Sequence, residues 1–324
     1  MNRILYLAVI LSIFSMFSCQ SSQSDVVYLA HTLPISHPVH QGIEVFAEEV
    51  SRLSEGEMSV KIFPDAQLGS EREVLELLQI GSIGMTKVSA ATMANFAPEY
   101  KVLGIPYLFR DKEHFFNVLE GPIGTEILDK GEDYLLKGMC FYDAGSRSFY
   151  TKNKPINNPD DLEGLKIRVM NDQMSVNMVN TLGGSATPMS YGELYTALQQ
   201  GVVDGAENNP PSFVTSRHYE VCKYYSLDEH TSLPDVLVMG TKFWNNLSDV
   251  QKGWMKEAAK NSVAAQKKFW SDNVEECMAT LKEANVEIIY PDKEVFASKA
   301  SSLVEEFEKQ PGMKLIIERI QNQQ

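Results

Sequence analysis

Apolar residues recur along this chain at two spacings. Short apolar-rich runs at 26–30 and 58–63 read as strands, and between them Val39, Ile43, Phe46, Val50 and Leu53 step by four and three, on one face of a helix from about 38 to 53. The theme returns downstream as a strand at 165–170, a helix near 173–182 and a turn at Gly183 and Gly184. Within it lies a closer repeat. Ser70 precedes Glu73 and Val74, and Leu78 and Gln79 lead to Gly81; Ser190 precedes Glu193 and Leu194, and Leu198 and Gln199 lead to Gly201, at identical spacing. A serine three residues before a glutamate is a capping box, and the glycine falls where a helix end takes a left-handed residue. A short strand is expected after each helix, at 83–88 and 202–206. This alternation predicts two similar α/β domains with parallel sheets and crossover helices. Residues 248–284 read as one or two long helices, followed by a strand at 286–290 and a helix near 292–310.

The first residues follow another logic. Arg3 precedes an apolar run at 4–17, too short to span a bilayer comfortably but suited to the core of a signal peptide, expected at 1–18. Cys19 and the polar residues to Ser24 resemble a bacterial lipoprotein signal, with cleavage before Cys19, acylation of that residue and a tether at 19–24. Several acyl chains would anchor the protein to a membrane without a transmembrane helix. The plainer alternative is a secretory signal with a coincidental cysteine.

The remaining length suits about two domains, and an apolar fraction of 44% supplies a core for each. Cys140, Cys222 and Cys277 form no Cys-x-x-Cys pair, so neither a disulfide framework nor a thiolate zinc site is indicated. A net charge of -14 counts against nucleic acid and against docking on anionic lipid, and any anionic ligand needs a locally positive pocket.

Three segments supply such a pocket: Gly145-Ser146-Arg147, Gly164-Leu165-Lys166-Ile167-Arg168-Val169, and Val203-Asp204-Gly205-Ala206-Glu207-Asn208-Asn209-Pro210-Pro211. Arg168 stands in an apolar strand, where a charge must find a partner or stay wet, and its planar fork matches a carboxylate. Arg147 is either a second anion ligand or a structural salt-bridge arginine. Asn208, or Asn209 one residue on, either bonds a ligand or forms the turn before Pro210. Aligning the repeats places Lys87 and Ser89 at the positions of Glu207 and Asn209, at a strand end, where open α/β sheets bind ligands. Lys87 is a ligand or a solvated strand-end lysine. Glu73 is explained by its cap, yet is also placed to accept hydroxyls, and Tyr191 either covers the apolar face of a ligand or simply packs. His31, His37 and His40 have no neighbouring acids and match zinc chemistry poorly, so no metal is expected. No Gly-x-Ser-x-Gly elbow, phosphate loop, dinucleotide fingerprint or His-Glu-x-x-His helix occurs, so neither an enzyme nor a cofactor is expected.

In order and wording the three segments resemble the solute-binding proteins of tripartite ATP-independent periplasmic (TRAP) transporters, over nearly all of the chain after residue 25. The resemblance implies two discontinuous domains, 25–144 with 234–273 and 145–233 with 274–324, joined by a hinge around an interdomain ligand cleft. It makes Arg168 the main carboxylate ligand, assisted by Arg147 and Asn208, and gives His31 a ligand contact at the end of the first strand. The partners it implies are a small carboxylic acid and a membrane permease. The segments 85–89, 142–150, 206–213 and 226–230 look like the subgroup that takes hexuronates such as glucuronate and galacturonate. A C4-dicarboxylate, an aldonate or a sialic acid is the alternative within the family; a lipid-anchored periplasmic enzyme acting on acidic sugars, with Glu73 and a second carboxylate, is the alternative outside it.

Overall fold

The computed structural model describes residues 25–323; the expected signal peptide, Cys19 and the tether lie outside them. Strand β1 (Asp25–Ala30) pairs in parallel with β2 (Met58–Phe63) and β3 (Met85–Ser89). Helix Pro38–Leu53 buries Val39, Ile43, Phe46 and Val50, the face that steps by four and three. Its cap is His37, whose Nδ1 accepts the Val39 N–H at 3.2 Å, and Pro38 sits in the first turn, where a missing N–H costs nothing. Helix Glu71–Ile80 opens with the capping box of Ser70 and Glu73 and ends on Gly81 at φ +81°. The second copy is less regular: Ser190 and Glu193 enclose a 3-10 turn, Tyr191–Glu193, before helix Leu194–Gln200. The strands that follow, β3 and β8 (Gly205–Asn208), begin later than the spacing predicts, because the turn out of each left-handed glycine consumes Ile83 and Gly84 in one case and Val202 to Asp204 in the other.

Two sheets result, each flanked by helices, and the fold is α/β with two similar domains. The first has the order β2-β1-β3-β10-β4, with β4 (Leu136–Tyr142) and β10 (Asp235–Gly240). The second has the order β11-β9-β5-β8-β6-β7, with β5 (Ser146–Thr151), β6 (Lys166–Val169), β7 (Ser185–Pro188), β9 (Tyr224–Ser232) and β11 (Glu287–Ile289). Both sheets are mixed, which corrects the expectation of parallel sheets. Strand β10 runs antiparallel to β3 and β4, and β5 runs antiparallel to β8 and β9. The chain leaves the first sheet along β4 into β5 and returns along β9 into β10. Neighbouring strands that carry it out and back must run in opposite senses.

A single helix of 35 residues, Asp249–Glu283, spans both halves. It packs Met255, Ala258 and Trp270 into the first core and Leu281 into the second. Midway along it Gln266 is fully buried, and its side-chain amide accepts the Asp143 N–H and donates to the Asp143 carbonyl, both at 2.8 Å. One turn further on, Trp270 lies against Gly145, a residue at φ +58° where an added Cβ would meet the indole at 3.0 Å. Helix Lys293–Glu308 packs Phe296 and Ala300 into the second core, but the last helix, Met313–Gln321, packs Ile317 and Ile320 into the first. Residues 274–324, expected to stay with the second domain, thus return to the first at their end.

Candidate functional site

Between the sheets lies a cavity of about 390 Å³ lined by Lys87, Ser89 and Glu73 from the first half and Arg147, Arg168, Tyr191 and Asn208 from the second. Adjacent strands β5, β8 and β6 bring the second group together: Ser148 is in register with Asn208, and Arg168 with Ala206.

The two arginines are held differently. Arg147 has four of its five N–H groups answered by the protein: its Nε and Nη2 bind the Glu207 carboxylate, Nη2 also donates to the Glu207 carbonyl at 2.8 Å, and Nη1 donates to Asn208 Oδ1 at 2.9 Å. Burial alone would push its pKa down, but Glu207 outweighs that and raises it. Glu207 in turn sits against His230, whose other ring nitrogen lies 2.7 Å from Asp228. Burial opposes the charge on Glu207 and on His230; Arg147 with His230 nonetheless lowers Glu207 to about 2, and Asp228 with Glu207 raises His230 to about 9. Arg168, only 2% exposed, has no carboxylate within ion-pair distance among the described residues. Its Nε and Nη2 donate to the Met189 carbonyl at 3.1 and 2.8 Å, Tyr191 lies under the guanidinium at 5.8 Å, and Nη1 has no hydrogen-bond partner. Burial pushes its pKa down.

Across the cavity Lys87 lies 3.3 Å from both Glu71 and Asp235. Burial would discharge it, but Asp235 and Glu71 outweigh the burial and raise its pKa. Ser89 caps the short helix Ala90–Met93. Glu73 lines the cavity but is occupied by its cap, accepting from the Ser70 N–H and hydroxyl at 2.8 Å. Glu71 and Asp235 were missed by the sequence reading; the signal for them was Lys87 itself, a strand lysine that needs acidic partners once buried. Asn209 caps helix Pro210–Thr215 through the Ser212 N–H at 2.8 Å and donates to the Ala144 carbonyl at 3.0 Å.

His31 is a correction. Its neighbours Thr32 and Leu33 line the cavity, whereas His31 turns into the core, where Nε2 meets His40 Nδ1 at 2.9 Å and Nδ1 accepts the Leu33 N–H at 3.1 Å. Burial, with Lys87 close by, lowers its pKa to about 2, so the ring is a neutral core group. His37 makes a contact between the halves, its Nε2 lying 3.2 Å from Ser212 Oγ.

Residues 29–310 match the DctP family model, described as bacterial extracellular solute-binding protein, family 7. A TRAP periplasmic solute-binding protein from Xanthobacter autotrophicus, solved with β-D-galacturonate, is 36% identical, with a TM-score of 0.89 and 92% of this chain and 100% of that one covered. One from Chromohalobacter salexigens with D-glucuronate is 34% identical at a TM-score of 0.89, covering 92% and 100%. One from a Polaromonas species bound to D-erythronate is 32% identical at 0.90, covering 93% and 99%. A family match over most of the chain, carried by the same two-sheet fold around a cleft, establishes that this chain belongs to the DctP family of bacterial extracellular solute-binding proteins, the binding proteins of TRAP transporters.

Proposed function

We propose that this protein captures a sugar acid, a hexuronate such as D-glucuronate or D-galacturonate, and delivers it to the membrane permease of a TRAP transporter. The observation that carries the reading is Arg168: a buried guanidinium at the cavity with one nitrogen unpaired and no acidic partner among the described residues. A ligand carboxylate supplies what it lacks, and a charge-assisted, planar contact fixes the acid head. Arg147 and Asn208, locked to each other, form the wall beside it. Tyr191 offers a ring face to the sugar, and the polar groups of the opposite wall meet its hydroxyls. The uronates in two structures of related proteins support the substrate class. The two sheets act as lobes, broadly 25–144 with 234–273 and 145–233 with 274–324, the last helix riding with the first; a ligand touching both favours the closed arrangement. Acylated Cys19 tethers the protein at the membrane, and a Cys19→Ser variant released into the soluble extract would support that anchor.

Calorimetric titration with D-glucuronate and D-galacturonate tests the reading. Arg168→Ala weakens binding by about ten- to a hundred-fold, as expected of a charge-assisted hydrogen bond; unchanged affinity removes Arg168 from the site. The sugar acid is recovered chemically unchanged, and a new species in its place would instead mark an enzyme.

A further inference from the structure

We propose that Glu71 and Asp235 are specificity-determining residues that restrict the cavity to acids bearing a single carboxylate. The inference rests on the sugar-acid reading only in taking Arg168 as the seat of that carboxylate.

Among the described residues Lys87 is the one cation on the first-half wall that is buried, and both sides of it are taken: its Nζ is 3.3 Å from Glu71 Oε1 and 3.3 Å from Asp235 Oδ2. Glu71 is itself held in place. The Thr92 hydroxyl donates to its Oε2 at 2.6 Å and the Ser89 N–H donates to both oxygens at 3.2 Å, so the carboxylate cannot swing aside to free the lysine. Asp235 is fixed by backbone pairing on both sides, opposite Ser89 in β3 and Tyr142 in β4. All three groups line the cavity. Within this cluster one cation faces two acids, so its formal charge is negative, while burial, with Glu71 beside it, raises the Asp235 pKa.

The other cations of the cavity do not alter that balance. Arg147 is bound to Glu207 and Asn208, and Arg72 lies at the exposed rim, paired with Glu76 at 3.2 Å and screened by water. A ligand with a carboxylate on Arg168 and hydroxyls at its far end can donate to acidic oxygens there. A second carboxylate in the same place meets like charge across a short, poorly solvated gap. The wall thus selects by repulsion, complementing the attraction of Arg168.

The test uses two pairs of acids matched in chain length, each with one and with two carboxylates: D-glucuronate with D-glucarate, and D-erythronate with tartrate. Affinities are measured for the wild type, Glu71→Gln and Asp235→Asn, with thermal midpoints to verify folding. The wild type prefers the monoacid of whichever pair it binds, by about a hundred-fold, as expected of unrelieved like-charge contact. Each substitution, keeping the shape and removing one negative charge, narrows that preference about ten-fold by strengthening the diacid. Comparable wild-type affinity for either diacid and its monoacid overturns the inference without any variant, and so does a ratio that neither substitution moves. Binding confined to the four-carbon pair, with the monoacid preferred and no binding of D-glucuronate or D-galacturonate, overturns the hexuronate reading and leaves this one standing. Binding of none of the four acids, and none of D-galacturonate, overturns both.

Discussion

Arg147 and Arg168 lie in the same sheet, both buried and both at the same cavity, yet one is spent and the other is not. Arg147 has a carboxylate, a carbonyl and an amide oxygen from its own chain. Arg168 has one carbonyl, an aromatic face and an unpaired nitrogen. A buried charge with a carboxylate from its own chain is architecture, and one without is a request for a ligand. The contrast separates stability from affinity, and each can be attacked alone.

The largest effect is expected at the internally paired arginine. Arg147→Ala leaves Glu207 buried without its main partner and lowers the unfolding free energy by about 3–5 kcal/mol, read from urea titration without ligand. Arg168→Ala shifts the balance: it strips about 1.5–3 kcal/mol from ligand binding while ligand-free stability falls less than in Arg147→Ala, because contacts to the Met189 carbonyl and Tyr191 are lost but no internal ion pair is broken. Equal loss of stability in the two variants, or loss of affinity alone in both, would erase the distinction.

A smaller effect concerns protons. His230, raised to about 9 beside Glu207 and Asp228, contributes stability that is complete below the ordinary histidine value of 6.5 and disappears as pH climbs towards 9. His31, lowered to about 2, and His37, also well below 6.5, contribute stability present above 6.5 and lost as pH falls beneath it. The thermal midpoint of the ligand-free protein therefore peaks near neutrality, and His230→Gln flattens the alkaline limb alone. The smallest effect is expected at Glu73: Glu73→Gln, which can retain the cap, leaves sugar-acid affinity unchanged, whereas a marked loss would return Glu73 to the list of ligands.

Much of this was legible in the sequence for physical reasons. Arg168 stood out because a charge amid Ile167 and Val169 must be answered by something. The repeat of Ser70 and Glu73 at Ser190 and Glu193 carried Lys87 and Ser89 to the wall facing the arginines, since equal spacing implies equal placement. What escaped was whatever depends on long-range pairing. Glu207 is printed in the same motif as Asn208, but that it binds Arg147 follows only from the pairing of β5 with β8. Asp235 reaches Lys87 because β10 returns from the other domain to lie against β3, a placement no local pattern announces. His31 ends a strand as expected, but a strand end has two sides, and burial against His40 decided which side it took. The strands that shuttle the chain between domains forced antiparallel neighbours that simple alternation does not foresee.

The helix Asp249–Glu283 is fastened at its own midpoint to the connection between β4 and β5, where Gln266 grips Asp143. At 1.5 Å per residue its 35 residues measure about 50 Å, giving two lever arms of about 25 Å each. A tilt of about 10° at that pivot would displace either tip by about 4 Å, so a small adjustment at the centre of the molecule would become a change of outline on a distant face.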